Sequence, residues 1–145
     1  MIQQINSIKG LEMGRASFAY EKVEDAVEKL TKNDAKKYKS YVKKIPMYIK
    51  TNGLGPTLAF IRSKTDPDPA KSDTVYAMIY NQTTQWLKQD PKRVIIVNND
   101  LVKTIISLRS PEYRAATVEV LSLFNWLRRF AEGLIEGEAD DDIAG

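Results

Sequence analysis

The sequence predicts an all-α fold, a compact bundle of about six helices. Three observations carry that prediction. Apolar residues recur at helical spacing through most of the 145 residues. Proline, glycine and Asx residues fall between the periodic segments, where helices start and stop. The one run with strand composition, 93–97 (Arg-Val-Ile-Ile-Val), has no partner strand, and a lone strand leaves its backbone hydrogen bonds unmade. That run reads as an extended or helical lead-in to the fifth helix.

The first clear helix is expected over about 11–31. Ala16, Ala19, Val23, Ala26, Val27 and Leu30 line one face, and Glu21, Glu24, Asp25 and Glu28 another. Ile2, Ile5 and Ile8 hint at an earlier start, against the cost of Gly10 and Gly14, about 1 kcal/mol per helix-interior glycine. Asp34 is the expected N-cap of the second helix, whose apolar face is Tyr38, Tyr41, Val42, Ile45 and Ile49. Pro46 should kink or restart it, and Asn52-Gly53 should end it. A short third helix carries Pro56 in its first turn and Leu58, Ala59 and Ile61 beyond. Thr65-Asp66-Pro67-Asp68-Pro69 is the strongest break. The fourth helix spans about 73–88 with Tyr76, Ile79, Thr83, Trp86 and Leu87 inward, and Asp90-Pro91 ends it. The fifth, capped near 98–100, should bury Leu101, Ile105, Ile106 and Leu108. Ser110-Pro111-Glu112 supplies a cap, a proline and a first-turn acid for a sixth helix reaching about Leu134. Residues 1–134 read as a single helical domain and 135–145 as a mobile acidic tail.

Composition narrows the function classes. There is no Cys, hence no disulfide framework and no thiolate metal site. There is no His, the commonest general base and zinc ligand. An enzyme is therefore not expected, and neither a cofactor nor a metal is assigned. Asp66 and Asp68 form the nearest thing to a metal pair, but a hard cation needs several oxygens held in place. Residues 1–10 lack a basic start and a continuous apolar core, and no apolar run approaches the ~18 residues a membrane span requires, so a cytoplasmic protein without membrane contact is expected.

Charge is distributed unevenly. The last fourteen residues, from Glu132, carry six acids and no base, whereas everything before them carries 22 bases and 13 acids. A basic body points to a polyanionic partner, and solubility is the plain alternative. The segment 32–50 holds seven lysines against one acid, Asp34. Lys36, Lys39 and Lys43 share a face, Lys37 and Lys44 an adjacent one, and Tyr38, Tyr41 and Tyr48 are interleaved. Lysines neutralise phosphates without reading bases, and tyrosines stack on unpaired ones. By itself the segment reads equally as an amphipathic helix with a solvated lysine face and core tyrosines. Asn52-Gly53-Leu54-Gly55-Pro56 lacks the Gly-Lys-Ser/Thr ending of a phosphate-cradling loop and reads as a turn.

Four stretches together resemble one family: Arg15-Ala16-Ser17-Phe18-Ala19-Tyr20-Glu21-Lys22-Val23; Tyr38-Lys39-Ser40-Tyr41-Val42-Lys43-Lys44-Ile45-Pro46; Ile49-Lys50-Thr51-Asn52-Gly53-Leu54-Gly55-Pro56-Thr57-Leu58-Ala59-Phe60; and the block 113–132, ending Trp126-Leu127-Arg128-Arg129-Phe130-Ala131-Glu132. In this order, over roughly 11–134, they resemble the small subunit of the type III-B CRISPR effector, the RNA-guided, RNA-targeting Cmr complex. The resemblance implies an all-helical, non-catalytic subunit whose copies stack as a minor filament beside the backbone subunits that hold the guide RNA. The target strand of the guide–target duplex runs along the groove between the filaments, and cleavage belongs to other subunits.

On this reading Arg15, Lys39, Lys43, Lys44, Lys50, Arg62, Arg114, Arg128 and Arg129 are candidate phosphate or subunit contacts. Phe18, Leu58, Phe60, Trp126, Leu127 and Phe130 are assigned to the core. The acidic face of the first helix is expected to meet the basic second helix of a neighbouring copy, a head-to-tail contact that leaves filaments open. The rival readings are a free-standing nucleic-acid-binding helical regulator, a metal-dependent nuclease using Asp66 and Asp68, and a scaffold without nucleic-acid contact.

Overall fold

In the computed structural model the described residues form six helices: α1 (Ile2–Lys29), α2 (Lys32–Asn52), α3 (Leu54–Ser63), α4 (Thr74–Gln89), α5 (Leu101–Ile106) and α6 (Ser110–Leu134). The structure describes residues 2–66, 68, 70, 72–90, 94–98 and 100–138, with the side chains of 2–9 and 11 excepted. No strand occurs among the described residues. Residues 94–98 are neither helix nor strand, and Ile95 is buried. Arg93, Pro67, Pro69, Pro91 and the tail from Ala139 lie outside the described residues.

Most helix boundaries follow local chemistry, with several corrections. Helix α1 begins at Ile2, so Gly10 and Gly14 are helix-interior. Once a helix is nucleated, each added residue costs little, and Phe18, Ala19, Val23 and Ala26 anchor this one in the core. Thr31, rather than Asp34, caps α2: its side chain accepts the Asp34 N–H at 3.1 Å, and Asp34 stands as an acid in the first turn. Helix α2 runs on through Pro46. Tyr38 and Val42 before the proline and Ile45 and Ile49 around it are all buried on one face, and that burial, about 1.5–3 kcal/mol per large side chain, offsets the lost bond.

Gly53 ends α2 with φ 95°, and its N–H donates to the Ile49 carbonyl at 2.8 Å. Asp73 caps α4, accepting the N–H groups of Val75 and Tyr76 at 2.9 and 3.0 Å. At α6 the cap position is Arg109, one residue before the expected Ser110, and Pro111 follows in the first turn.

Helix α6 packs chiefly against α1 and α2, α4 lies against α2 and α6, and α3 with α5 closes one end. Direction follows from the contacts. Arg15 meets Glu119 while Leu30 shares a crevice with Leu134, so α1 and α6 run parallel. Lys39 meets Glu132, whereas Gly55, just past the end of α2, meets Tyr113, so α2 and α6 run antiparallel.

Phe18, Leu58 and Leu127 are buried as expected. Phe60 is not: it is 45% exposed, in edge contact with Tyr76. Val27 and Ile106 also face solvent, and Leu108 is only half-buried. Trp126 and Phe130 are half-buried on the α1/α6 seam, stacked at 5.5 Å, with Tyr20 edge-on to Phe130 and the Trp126 Nε1–H donated to Glu12.

Candidate nucleic-acid interface

The structure divides the nine candidate cations into inward and outward sets. Arg15 points inward. Its Nε and Nη2 donate to the two Glu119 carboxylate oxygens at 2.8 and 2.9 Å, and Nη1 donates to Glu12 at 2.7 Å. Arg15 and Glu119 are both buried, and Trp86 Nε1 donates to the same Glu119 oxygen that Arg15 Nε reaches. The Glu119 hydrogen bonds push the Arg15 guanidinium further up than usual, against the opposing effect of burial. A guanidinium held bidentate in the interior is structural, and Arg15 leaves the surface set.

Lys39 is also turned inward, because it falls in phase with Ala35, Val42 and the α6 contact. Its Nζ donates to the carbonyls of Ile135 and Gly137, both at 3.1 Å, and lies 3.5 Å from the carboxylates of Glu132 and Glu138. It pins residues 135–138 to α2, so its ammonium is already committed.

The remaining cations lie outward. Lys43 and Lys50 are exposed on α2, four and eleven residues beyond Lys39, and therefore continue the margin of α2 that borders α6. Lys36 and Lys32 continue the same margin in the other direction. Across the seam, Arg128 stands four residues before Glu132, and Arg114 eighteen before it, five full turns, so both point to the α2 side of α6. Both are exposed; among the described residues the Arg128 guanidinium reaches only Asn125, at 3.5 Å. Lys43, Lys50, Arg114, Arg128 and Arg129 have no ion-pair partner among the described residues. Lys44 is half-buried on the opposite margin of α2, one turn before the exposed Tyr48.

Two candidates sit elsewhere. Arg129 is on the outward face of α6, between the α1 and α2 sides. Arg62 is on α3 at the far end, 3.4 Å from Asp100 and bonded to Thr65. The nine cations do not form one ridge: the α2 margin with Arg114 and Arg128 forms one cationic seam, and the others stand apart from it.

Sequence reasoning missed Glu119 altogether, although the signal was present. It falls in phase with Ala116, Val120, Leu123 and Leu127, and an acid on such a stripe requires a buried partner. The exposed groove lined by Tyr48, Asn52, Pro56, Thr57 and Phe60, beside the stacked Tyr41–Tyr76 pair, also went unread because aromatic residues in helical phase look like core.

Among the described residues no group of three or more His, Cys, Asp or Glu side chains is placed to hold a metal ion. The Asp66 and Asp68 carboxylates each accept a backbone N–H two residues on, at 2.8 and 3.0 Å, as Asx turns do. No helix among the described residues is long and apolar enough to cross a membrane.

Comparison with known proteins agrees with this architecture. The family model for CRISPR-associated proteins of the Cmr5 type matches residues 11–134. The crystal structure of a CRISPR-associated Cmr5 family protein from Thermus thermophilus superposes with a TM-score of 0.66 at 26% identity, covering 87% of this chain and 97% of that one. The matched region takes in all of α2 to α6, and by it the chain belongs to the Cmr5 family, the small subunits of the type III-B Cmr effector complex.

Proposed function

We propose that this small subunit steadies the target strand of the guide–target RNA duplex through sequence-blind phosphate contacts and performs no chemistry of its own. Its copies stack beside the backbone subunits, and the acidic face of α1 meets the basic face of α2 in the next copy. The observation that carries the reading is the outward surface of α2. It presents Lys43 and Lys50 along one margin and Lys44 along the other, with Arg114 and Arg128 facing across the α2/α6 seam. A strand already selected by base pairing needs only such contacts, because guide pairing supplies the sequence information. A recognition helix inserted into duplex DNA is disfavoured as an alternative: α2, the basic helix, is packed along its length against α6, α4 and α3.

Replacing Lys43 and Lys44 with Ala in the assembled complex tests the reading. Weaker target-RNA binding with assembly intact is expected. Unaltered binding across a range of salt would leave a scaffold that never touches nucleic acid.

A further inference from the structure

Helices α2 and α3 meet at the Gly53 corner, and α3 folds back beside α2 and against α4. Tyr76 of α4 ties the two arms together. It stacks on Tyr41 of α2 at 4.2 Å and meets Phe60 of α3 in an edge contact at 5.7 Å. The wedge between the arms is a groove of about 620 Å³ lined by Tyr48, Asn52, Pro56, Thr57 and Phe60, a size that suits a small organic ligand. Tyr48 and Asn52 stand one turn apart on α2, and Pro56 and Phe60 one turn apart on α3, so each arm turns one row of side chains to the groove. Tyr48 is 42% exposed and Phe60 45%, so both rings present open surface. The Lys64 ammonium, one turn beyond Phe60, stands over the Phe60 ring, 5.3 Å from its centre.

We propose that this wedge is a stacking site for an unpaired RNA base, which lies against Tyr48 and Phe60 while Lys64 meets its phosphate. The inference deepens the RNA-binding reading given above and rests on it. Three features favour a nucleotide over an apolar side chain of a protein partner. The open rings offer flat π-surface on which any base stacks, so the site adds affinity without reading sequence. The Asn52 amide, at the corner end of the groove, both donates and accepts, as a base edge requires. The Lys64 ammonium is costly to cover with an apolar group, whereas a phosphate neutralises it. The groove also joins the lysine margin. Tyr48 lies five residues beyond Lys43, about 140° around α2, and the exposed Met47 and Thr51 fall between them. A strand crossing the outward face of α2 therefore touches the lysines on one border and places a base in the wedge on the other.

The test measures binding of the full-length chain to a short single-stranded RNA and to its abasic counterpart, which keeps every phosphate and removes the bases. Wild type, Tyr48→Phe and Tyr48→Leu/Phe60→Leu are compared over a salt series, and retention of each in the assembled effector is followed by native mass spectrometry. Wild type is expected to prefer the intact RNA by about five- to hundredfold. The double variant should lose that preference while keeping the wild-type salt slope and affinity for abasic RNA, and Tyr48→Phe should keep all three. Equal wild-type affinity for intact and abasic RNA overturns the stacking site, whatever the variants do. An undiminished preference in the double variant also overturns it, and leaves the phosphate contacts of the lysine margin standing. Loss of the double variant from the effector, with its RNA binding unaltered, overturns it in favour of a protein partner in the groove. Binding of neither RNA by the wild type at low salt defeats the phosphate-binding reading, and the base site with it.

Discussion

Arg15 and Glu119, 104 positions apart in sequence, join α1 to α6 through two parallel hydrogen bonds at 2.8 and 2.9 Å inside the bundle. Trp86 of α4 donates to the same carboxylate at 2.9 Å, so one buried acid ties three helices together. Burial makes each partner costly to remove alone. Arg15→Met or Glu119→Leu should each destabilise the fold by about 3–5 kcal/mol, whereas Arg15→Met/Glu119→Leu together should recover much of that loss. Urea denaturation in a double-mutant cycle measures the coupling, and additive single effects would show the pair to be independent.

Lys39 performs the corresponding task for residues 135–138. Lys39→Met leaves the carbonyls of Ile135 and Gly137 without their charged donor, a loss of about 1.5–3 kcal/mol for bonds of this kind. The expected consequence is local: faster amide hydrogen exchange over 135–138 with α6 protection otherwise retained. Unchanged exchange there would show that the crevice contacts of Ile135 alone hold the segment.

Gly53 and Tyr113 set the corner between α2 and α3. Gly53 sits at φ 95°, and a Cβ there would stand 3.3 Å from the Tyr113 hydroxyl, which also accepts the Gly55 N–H at 2.7 Å. Gly53→Ala should cost about 1–3 kcal/mol through backbone strain. Tyr113→Phe should cost about 1 kcal/mol through the lost acceptor. Thermal melts of both variants check the order, and a Gly53→Ala protein as stable as wild type would contradict the strain.

Buried tyrosines predict a stability loss at alkaline pH. Burial pushes the Tyr38 hydroxyl, which donates to Gln82 at 2.7 Å, well above its ordinary range; burial and then the hydrogen bond to Asp100 push Tyr80 up to about 12. The folded chain therefore keeps protons that the unfolded chain releases above about pH 10. Stability is full below pH 10 and declines as pH rises through the folded values. Urea midpoints from pH 8 to 11.5 should fall at the alkaline end, and less steeply for Tyr38→Phe. A flat profile would contradict the account.

How much was legible in the sequence depended on whether a feature is local. The Asn52-Gly53 stop and the Pro111 start need only neighbouring residues, and both are present in the structure. Thr31 supplanted Asp34 because the cap depends on where the loop turns, and Ser110 gave way to Arg109 for the same reason. Phe60 and Ile106 have the composition of core but face solvent, since periodicity marks a face without saying whether another helix covers it. Arg15 and Lys39 read as surface cations because their partners, Glu119 and the 132–138 segment, are distant in sequence. Both lie in phase with buried neighbours, which was the available signal.

The central claim is that the α2 margin holds RNA by charge alone, and salt dependence tests it most directly. Target-RNA affinity should be measured over a salt series with the assembled effector carrying Lys43→Ala/Lys50→Ala in every copy. The account predicts weaker binding for every target sequence and a log–log salt slope shallower by about 0.7–0.9 per lost phosphate contact. Affinity and slope equal to those of the wild type, in a complex of unchanged composition, would contradict it.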